Sequence, residues 1–176
     1  MDIKRIKAPF DKDELKELKA GDYVYISGSI LTGRDAAHKR LCETILEGRE
    51  LPVDIKGQGI YYVGPCFKDG RPVSAGPTTS MRMDAYTPLL CDNGCNVSIG
   101  KGDRAKGVYD AIVRSGGVYF AAIGGAGAMY ADAIKDARVL AYEDLGTEAI
   151  HRFDVEDFPV IVGIDSRGDS IYRLSD

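Results

Sequence analysis

The pattern of hydrophobic and polar positions switches repeatedly between two periods along the chain. Residues 23–31 alternate and are rich in β-branched and aromatic side chains, which predicts a strand. Short apolar or alternating runs predict further strands over residues 60–63, 96–99, 118–123, 139–142, 149–153, 159–164 and 170–173. Helices are predicted over residues 13–19, 34–46, about twelve residues ending near 93–94, 103–114, and a short stretch after residues 124–125.

This order of elements is typical of an α/β protein in which helices pack on mixed sheet layers. Glycine-containing turns are predicted at residues 68–71, between two strands, and at 167–168. No repeat, low-complexity run or Pro/Ser-rich linker interrupts the 176 residues. Because this length suits one domain with its own core, we predict a single domain over residues 1–176.

Charge and composition restrict the possible partners. The chain has 23 basic and 27 acidic residues and a net charge of -4, which argues against a nucleic-acid partner. Its first residues, MDIKRIKAPFDKDELKEL, are charged and lack the apolar core of a secretory signal. No stretch approaches the roughly 20 apolar residues of a membrane span. We therefore expect a cytoplasmic protein that binds neither nucleic acid nor membrane.

The four cysteines do not form a recognisable metal or redox motif. Cys91 and Cys95 are the only close pair, and their spacing is not CxxC, whereas Cys42 and Cys66 are isolated. The two histidines lie far from this pair in sequence. We expect reduced thiols, with no metal ion or cofactor bound by this chain alone.

Three loops place a cation or a hydroxyl where a helix is predicted to begin. They span residues 32–35 (TGRD), 77–82 (PTTSMR) and 100–104 (GKGDR). Unpaired N–H groups at a helix start attract anions, and the helix dipole disfavours a cation there. Arg34, Arg82 and Lys101 are therefore poorly placed unless an anion joins them. Each loop alone could hold a simple helix cap or a solvated charge, but together they predict an anion site.

The residue types in these loops favour a carboxylate over a phosphate. An arginine binds a carboxylate through two hydrogen bonds, so Arg34 and Arg82 could hold both ends of a diacid. Lys101 lies between two glycines, which lets its side chain reach a ligand without obstruction. Thr78 adds a hydroxyl to the segment that carries Arg82. The Walker A spacing of a phosphate-binding loop is absent.

Other interpretations stay open at this point. Residues 124–127 (GGAG), followed by Glu143, imitate a dinucleotide-binding unit, although the third glycine of that fingerprint is missing. A nucleotide-binding protein is therefore a second hypothesis, and a non-catalytic scaffold is a third. His38 lies four residues after Arg34 and could orient it or contact the ligand. Asp84 could hold Arg82 by an ion pair or face water.

The three loops, in this order, resemble the class I fumarase and tartrate dehydratase family, specifically its β subunit or C-terminal domain. The joint pattern is more specific than any single loop and spans nearly the whole chain. It consists of residues 32–40 (TGRDAAHKR), 76–84 (GPTTSMRMD), 99–102 (IGKG), 124–128 (GGAGA), 143–150 (EDLGTEAI) and 155–159 (VEDFP).

The resemblance implies a swivelling β/β/α domain and the reversible hydration of fumarate to malate, or the dehydration of L-tartrate. It also implies a partner in a hetero-oligomer, an α subunit that carries a [4Fe-4S] cluster on three cysteines. By similarity, Arg34, Arg82 and Lys101 contact the dicarboxylate substrate, and Thr78 lies near the abstracted proton. Met81 replaces a glycine that is frequent in fumarase-like members, whereas residues 83–88 (MDAYTP) are closer to fumarases, so the substrate stays open.

Such a reaction needs a Lewis acid at the hydroxyl, a base at the neighbouring carbon, and cations for the charge that builds on the carboxylate. The chain offers cations and a hydroxyl but no set of cluster ligands, which amounts to half of a site. A threonine hydroxyl is a poor base, so Thr78 would need activation by nearby cations, by the cluster or by the partner.

Overall fold

A computed structural model of the protein describes residues 2–173. Within this range, none of the helices is long and apolar enough to span a membrane. Two short 3₁₀ helices cover Ser80–Met83 and Glu143–Glu148. The α-helices are α1 (Lys12–Lys16), α2 (Asp35–Leu46), α3 (Thr87–Asp92), α4 (Lys106–Ser115) and α5 (Gly127–Ala133). The strands are β1 (Lys4–Ala8), β2 (Tyr23–Thr32), β3 (Gly59–Tyr61), β4 (Cys66–Lys68), β5 (Arg71–Ser74), β6 (Val97–Gly100), β7 (Val118–Ala121), β8 (Ile134–Ala141) and β9 (Ile150–Ile164).

Five of these strands close into a small barrel. β2, β3, β6 and β7 run parallel to one another in that order, and β9 pairs antiparallel with both β7 and β2. β1 and β8 extend the sheet from β2 and β9, and β4 and β5 form a separate hairpin. The prediction of an α/β fold with a mixed sheet and packed helices is confirmed. The finer description as a swivelling β/β/α domain stays a prediction.

The long strand β9 closes the barrel by pairing with both β2 and β7. It pairs with β8 near its start, with β2 through its middle and with β7 at its end. Phe153, Phe158 and Val162 of this strand are fully buried in the main core. A second buried cluster, which includes Leu41 and Met83, lies between the barrel and helices α2 and α3. Removing these apolar side chains from water is the main force that holds the layers together.

A glycine in β2 lets three strands meet at one point. The register between β2 and β9 shifts between Ile26 and Gly28, and Gly28 has a φ of 112°. A methyl group at Gly28 would overlap the carbonyl oxygen of Ala8 on β1. Only glycine adopts this conformation readily and permits such a close approach of two backbones.

The parallel strands of the barrel all end at the same edge. Thr32 pairs with Tyr61, Tyr61 with Ile99, and Gly100 with Ala121, so the carboxyl ends of β2, β3, β6 and β7 are level. The segments that follow these strands therefore leave the barrel side by side. In α/β sheets this edge is where ligands bind most often.

His38 is buried directly beneath this edge, on helix α2. Its Nδ1 lies 2.8 Å from the carbonyl oxygen of Arg34, and its ring packs against Tyr62 and Tyr86. Burial lowers the pKa of His38 to about 4; the charge of Arg104 acts in the same direction, while the bond to Arg34 opposes it. The ring is therefore neutral near pH 7. Nδ1 must carry the proton to donate to the carbonyl, which leaves Nε2 as an acceptor.

The helix predicted before residues 93–94 is in fact two pieces. A 3₁₀ helix covers Ser80–Met83, and α3 begins only at Thr87, with Pro88 in its first turn. Proline has no N–H and its ring clashes with the turn before it, so a continuous helix cannot pass this point.

Several strand predictions also need correction. The strands predicted over residues 149–153 and 159–164 are one continuous strand, β9. Residues 170–173 form no strand, since the only pairing there is a single bridge between Ile164 and Ser170. β1 was not predicted because its sequence, KRIKA, is mostly charged. The first part of β8 was not predicted either, because most side chains of this strand are exposed and give no apolar pattern.

The contact of Gly28 with β1 yields a test of the barrel. Gly28→Ala should lower the free energy of unfolding by about 2–4 kcal/mol, because it adds an unfavourable backbone conformation to a backbone clash. Gly107→Ala is the matched control, since nothing lies within 4 Å of that position in α4. The control should be neutral or more stable by up to about 1 kcal/mol. Urea unfolding measures both, and equal stability of the two variants would contradict this account.

The burial of His38 predicts how stability changes with pH. The pKa is about 6.5 in the unfolded chain and about 4 in the folded one, so the unfolded state binds the proton more tightly. Stability should be full above pH 6.5 and should decline as pH falls towards 4, by about 3 kcal/mol in total. In His38→Asn, whose amide nitrogen can replace Nδ1, this part of the decline should vanish when urea unfolding is measured across the range.

His151 also changes the stability with pH and must be separated from His38 in this measurement. Burial also lowers its pKa, so it contributes a decline of the same sign to both proteins. The quantity to compare is therefore the difference between wild type and His38→Asn. Identical pH profiles for the two would show that burial does not lower the pKa of His38 in the folded protein.

Candidate functional site

The predicted site residues lie at the carboxyl edge of the parallel strands. Arg34 follows β2 and is the first residue before α2, and Lys101 follows β6 directly. The segment with Thr78 runs beside them: its N–H donates to the Tyr62 carbonyl at 2.7 Å, and its carbonyl accepts from the Lys101 N–H at 3.3 Å. The N–H of Ser80 in turn donates to the Lys101 carbonyl at 2.9 Å. The backbone thus holds Thr78 and Lys101 side by side.

The shared design that the sequence suggested for the three loops holds only in part. Arg34 does stand at a helix start, whereas Lys101 lies five residues before α4. Arg82 lies within a 3₁₀ helix rather than at the start of an α-helix. The segments that carry the three cations therefore share one edge of the barrel because the strands end level, and not because three helices begin there.

Arg34 and Arg82 meet at a shared carboxylate, that of Asp35. Arg82 donates from Nε to Asp35 at 3.1 Å, and Arg34 Nε lies 3.9 Å from Asp35 and 3.9 Å from Glu148. Among the described residues, buried Arg34 Nε and one buried Asp35 oxygen have no hydrogen-bond partner. Because this Nε is itself buried, a ligand can reach Arg34 only through the quarter of its side chain that is exposed, whereas Arg82 is about half exposed.

Lys101 lies against the glycine loop that resembled a dinucleotide motif. A methyl group at Gly124 would sit 3.5 Å from Lys101 Cδ and 3.9 Å from Nζ. Gly127, at the start of α5, packs so closely on Ser74 and Gly76 that any side chain there would collide. Close packing thus accounts for Gly127 and a left-handed φ of 77° accounts for Gly125, and α5 has only seven residues. The nucleotide-binding hypothesis gains no support from this geometry.

Arg104 is the residue whose role sequence reasoning missed. Its side chain is completely buried, and its Nε donates to Asp84 at 2.6 Å. Its other nitrogens donate to Ser98, Tyr62 and Thr87 at 2.8–3.1 Å. Burial by itself would lower the pKa of this guanidinium, but Tyr62 and Asp84 outweigh burial and hold the pKa above its usual value. The group is therefore a permanent charge inside the protein.

Tyr119 connects the segment that carries Arg82 to the loop that carries Lys101. Its hydroxyl donates to the Gly102 carbonyl and bonds to Ser80, both at 2.7 Å. Gly100 permits this approach, because a side chain there would overlap the hydroxyl of Ser80. The ring of Tyr119 also lies 4.8 Å from the guanidinium of Arg104.

His38 contacts Arg34 as suggested, whereas Asp84 does not pair with Arg82. His38 holds the backbone carbonyl of Arg34, which suits an orienting role. The suggested ion pair between Asp84 and Arg82 is wrong, because both Asp84 oxygens are engaged elsewhere. They accept from Arg104 Nε at 2.6 Å and from the Ala105 N–H at 2.7 Å. The residue that pairs with Arg82 is Asp35. The only signal for this in the sequence was that Asp35 directly follows Arg34.

The cysteines do not fit an iron–sulfur cluster. All four are free, and three of them are buried. Burial raises the pKa of Cys42 and of Cys91 to about 11, so both thiols are protonated rather than ready to bind metal. Across residues 2–173, no three His, Cys, Asp or Glu side chains are grouped as metal ligands.

The arrangement as a whole is suited to a small anion. Three cations and one hydroxyl stand on adjacent loops whose backbones are hydrogen-bonded; Arg82 is exposed, and Arg34, Thr78 and Lys101 are half-buried. Two guanidinium groups joined by one carboxylate can exchange that carboxylate for those of a ligand.

Comparison with known proteins identifies the family of the chain. Residues 2–175 match the family model described as Fumarase C-terminus. Fumarate hydratase 2 of Leishmania major is 38% identical over 176 residues, which cover 95% of this chain and 30% of that protein. The anaerobic class I fumarate hydratase of Escherichia coli is 40% identical over 164 residues, covering 91% of this chain and 30% of the relative.

One relative is closer to this chain in length. A protein of Methanocaldococcus jannaschii, provisionally named L(+)-tartrate dehydratase subunit beta, is 38% identical over 92% of this chain and 87% of its own length. The chain thus spans about a third of the fumarate hydratases that it matches and most of this subunit. From the family match and these identities, the chain belongs to the Fumarase C-terminus family, whose members here include fumarate hydratases and a tartrate dehydratase subunit.

Proposed function

We propose that this chain is the β subunit of a hydro-lyase that reversibly hydrates fumarate to malate. The observation that carries the proposal is the group of three cations and one hydroxyl at the carboxyl edge of the parallel strands. The catalytic activity of the relatives supports it, although this chain corresponds to only a third of the fumarate hydratases. The dehydration of L-tartrate is the alternative, supported by the relative of similar length.

The cations would bind the two carboxylates of the substrate. Arg34 and Arg82 are held about one shared carboxylate, Asp35, so a substrate carboxylate can take up their free N–H groups. Lys101 then lies beside Thr78, near the carbon that loses or gains a proton. Positive charge at this position stabilises the charge that spreads into the carboxylate as the proton leaves.

Thr78 would exchange the proton at the malate methylene. Its backbone is fixed on both sides, by Tyr62 and by Lys101, so its hydroxyl keeps one position relative to the bound substrate. In the dehydration direction the hydroxyl takes a proton from carbon, and in hydration it returns one. A neutral threonine is a weak base, so its own proton must first pass to an acceptor, which we assign to a side chain of the partner. The positive charge of Lys101 would stabilise the alkoxide that then takes the proton from carbon.

The remaining chemistry requires a partner. We include in the proposal an α subunit that carries a [4Fe-4S] cluster and joins this chain in a hetero-oligomer. The residues of this chain do not fit such a cluster, as its cysteines show, so the roles given above concern this chain's residues alone. Exposed apolar side chains next to the site, Met81 and Ile123, suit a face that meets another protein.

Arg34→Met and Arg82→Met test the binding of the diacid. Each should reduce kcat/KM for fumarate about 30-fold to 1,000-fold or more in the assembly of this chain with its cluster-bearing partner, because a charge-assisted pair is lost. Arg114→Met is the matched control, since Arg114 is about as exposed as Arg82 and pairs with Asp92 away from these loops. Steady-state assays with fumarate, malate and L-tartrate would also choose between the two substrates. Wild-type kinetics in both variants would exclude the proposed site.

Thr78→Val tests the proton transfer separately from binding. Valine keeps the shape but removes the hydroxyl, so kcat should fall about 10²–10⁴-fold with little change in KM. Exchange of solvent deuterium into the malate methylene should fall in parallel. Thr78→Ser retains a hydroxyl and should recover much of the exchange. If Thr78→Val exchanges deuterium at the normal rate, the hydroxyl has no part in the proton transfer.

A further inference from the structure

One buried ion pair joins the two loops that carry Arg82 and Lys101. Asp84 lies two residues after Arg82, and Arg104 lies three residues after Lys101. Arg104 Nε and the first Asp84 oxygen are 2.6 Å apart. The second Asp84 oxygen accepts the Ala105 N–H at 2.7 Å and so fixes the residue just before α4. Both oxygens of this carboxylate therefore bind the Lys101 loop from the Arg82 segment.

Arg104 has further partners on several elements of the fold. The guanidinium of Arg104 also binds Tyr62 beside β3, Ser98 on β6 and Thr87 on α3. It lies over the rings of Tyr62 and Tyr119, at 5.2 Å and 4.8 Å. Arg104 is fully buried and Asp84 is only 10% exposed, so movement of Asp84 would leave the guanidinium without its counter-charge in the interior. The pair thus has essentially one allowed geometry.

Lysine could not replace Arg104 in this arrangement. Four acceptors surround a planar group and are reached by three different nitrogens. A lysine ammonium is a single point with three donors and cannot span these positions. The demand for arginine indicates that the direction of the hydrogen bonds matters, and not only the charge.

We propose that Arg104 and Asp84 are positioning residues that set the separation between the substrate cations Arg82 and Lys101. Neither residue touches the substrate: they act through the 3₁₀ helix Ser80–Met83 and through residues 101–105. The inference rests on the proposed function for its effect on substrate, whereas the connection between the loops can be measured without any substrate.

The first experiment measures the connection in the isolated full-length chain. The N–H groups of Ser80 and Lys101 bond directly across the two loops, so their hydrogen exchange reports whether the loops stay together. In Asp84→Asn and in Arg104→Lys, these two amides should exchange roughly 10-fold or more faster. The Gly33 N–H, which bonds to Tyr61 at the same edge, serves as the internal reference and should change little.

Asp92→Asn is the matched control variant. Asp92 also forms a two-bond ion pair with an arginine, Arg114, but this pair is exposed and links α3 to the end of α4. Its loss should leave the exchange of the Ser80 and Lys101 amides unchanged. Unaltered exchange in both Asp84→Asn and Arg104→Lys would overturn the proposal, and so would equal acceleration of these amides in the control.

A second variant separates positioning from stability. In the double variant Asp84→Leu with Arg104→Met, no charge remains buried, so it avoids the unpaired charge that could unfold the single variants. If the pair positions the cations, the folded double variant should lose about 10²-fold in kcat/KM in the assembly with the partner. A folded double variant with wild-type kcat/KM would show that the pair only stabilises the fold.

A double-mutant cycle identifies the residue through which the pair acts. In a Lys101→Met background, the double variant should cause a much smaller further loss than in wild type, because its target is already absent. Fully additive losses would overturn positioning through Lys101. If the wild-type assembly converts neither fumarate nor tartrate, the proposed function fails, whereas the exchange data still decide whether the pair holds the loops together.

Discussion

The buried charge of Arg104 is the constraint on which the candidate site depends. A guanidinium in the interior must have every hydrogen bond satisfied, since an unpaired charge there is far more costly than one in water. The partners of Arg104 come from β6, from α3 and from the segments that follow β3 and Arg82. Once the barrel has placed these elements, the interior charge leaves the two loops little freedom.

The same constraint separates the basic residues into two kinds. Arg104 has all its neighbours inside the protein and none of its side chain exposed, so it cannot bind a ligand. Arg34 and Arg82, in contrast, keep exposed surface and share the carboxylate of Asp35. The interior cation fixes the backbone of the loops, and such pre-organisation would reduce the entropy lost when the proposed diacid binds.

The local sequence predicted the elements that have a clear period, such as β2 and α2, and the three loops that end at one edge. It did not predict β1, whose charged sequence KRIKA becomes a strand only by pairing with β2. Nor could it show that Asp84 faces Arg104 rather than Arg82, since both distances along the chain are compatible with an ion pair. That choice depends on burial and on the break at Pro88, which only the packed structure determines.

The carboxylates near the outer cations explain how the loops remain folded without a ligand. Arg34, Arg82 and Lys101 would repel one another if nothing offset their charges, and like charges close together are destabilising. Asp35 and Glu148 stand beside Arg34 and reduce this repulsion, while one Asp35 oxygen and Arg34 Nε stay without a hydrogen-bond partner in the described part of the chain. A ligand carboxylate must therefore compete with Asp35 for Arg82. Such competition would limit affinity for the proposed diacid, and the proposed reversible reaction would benefit because its product could leave.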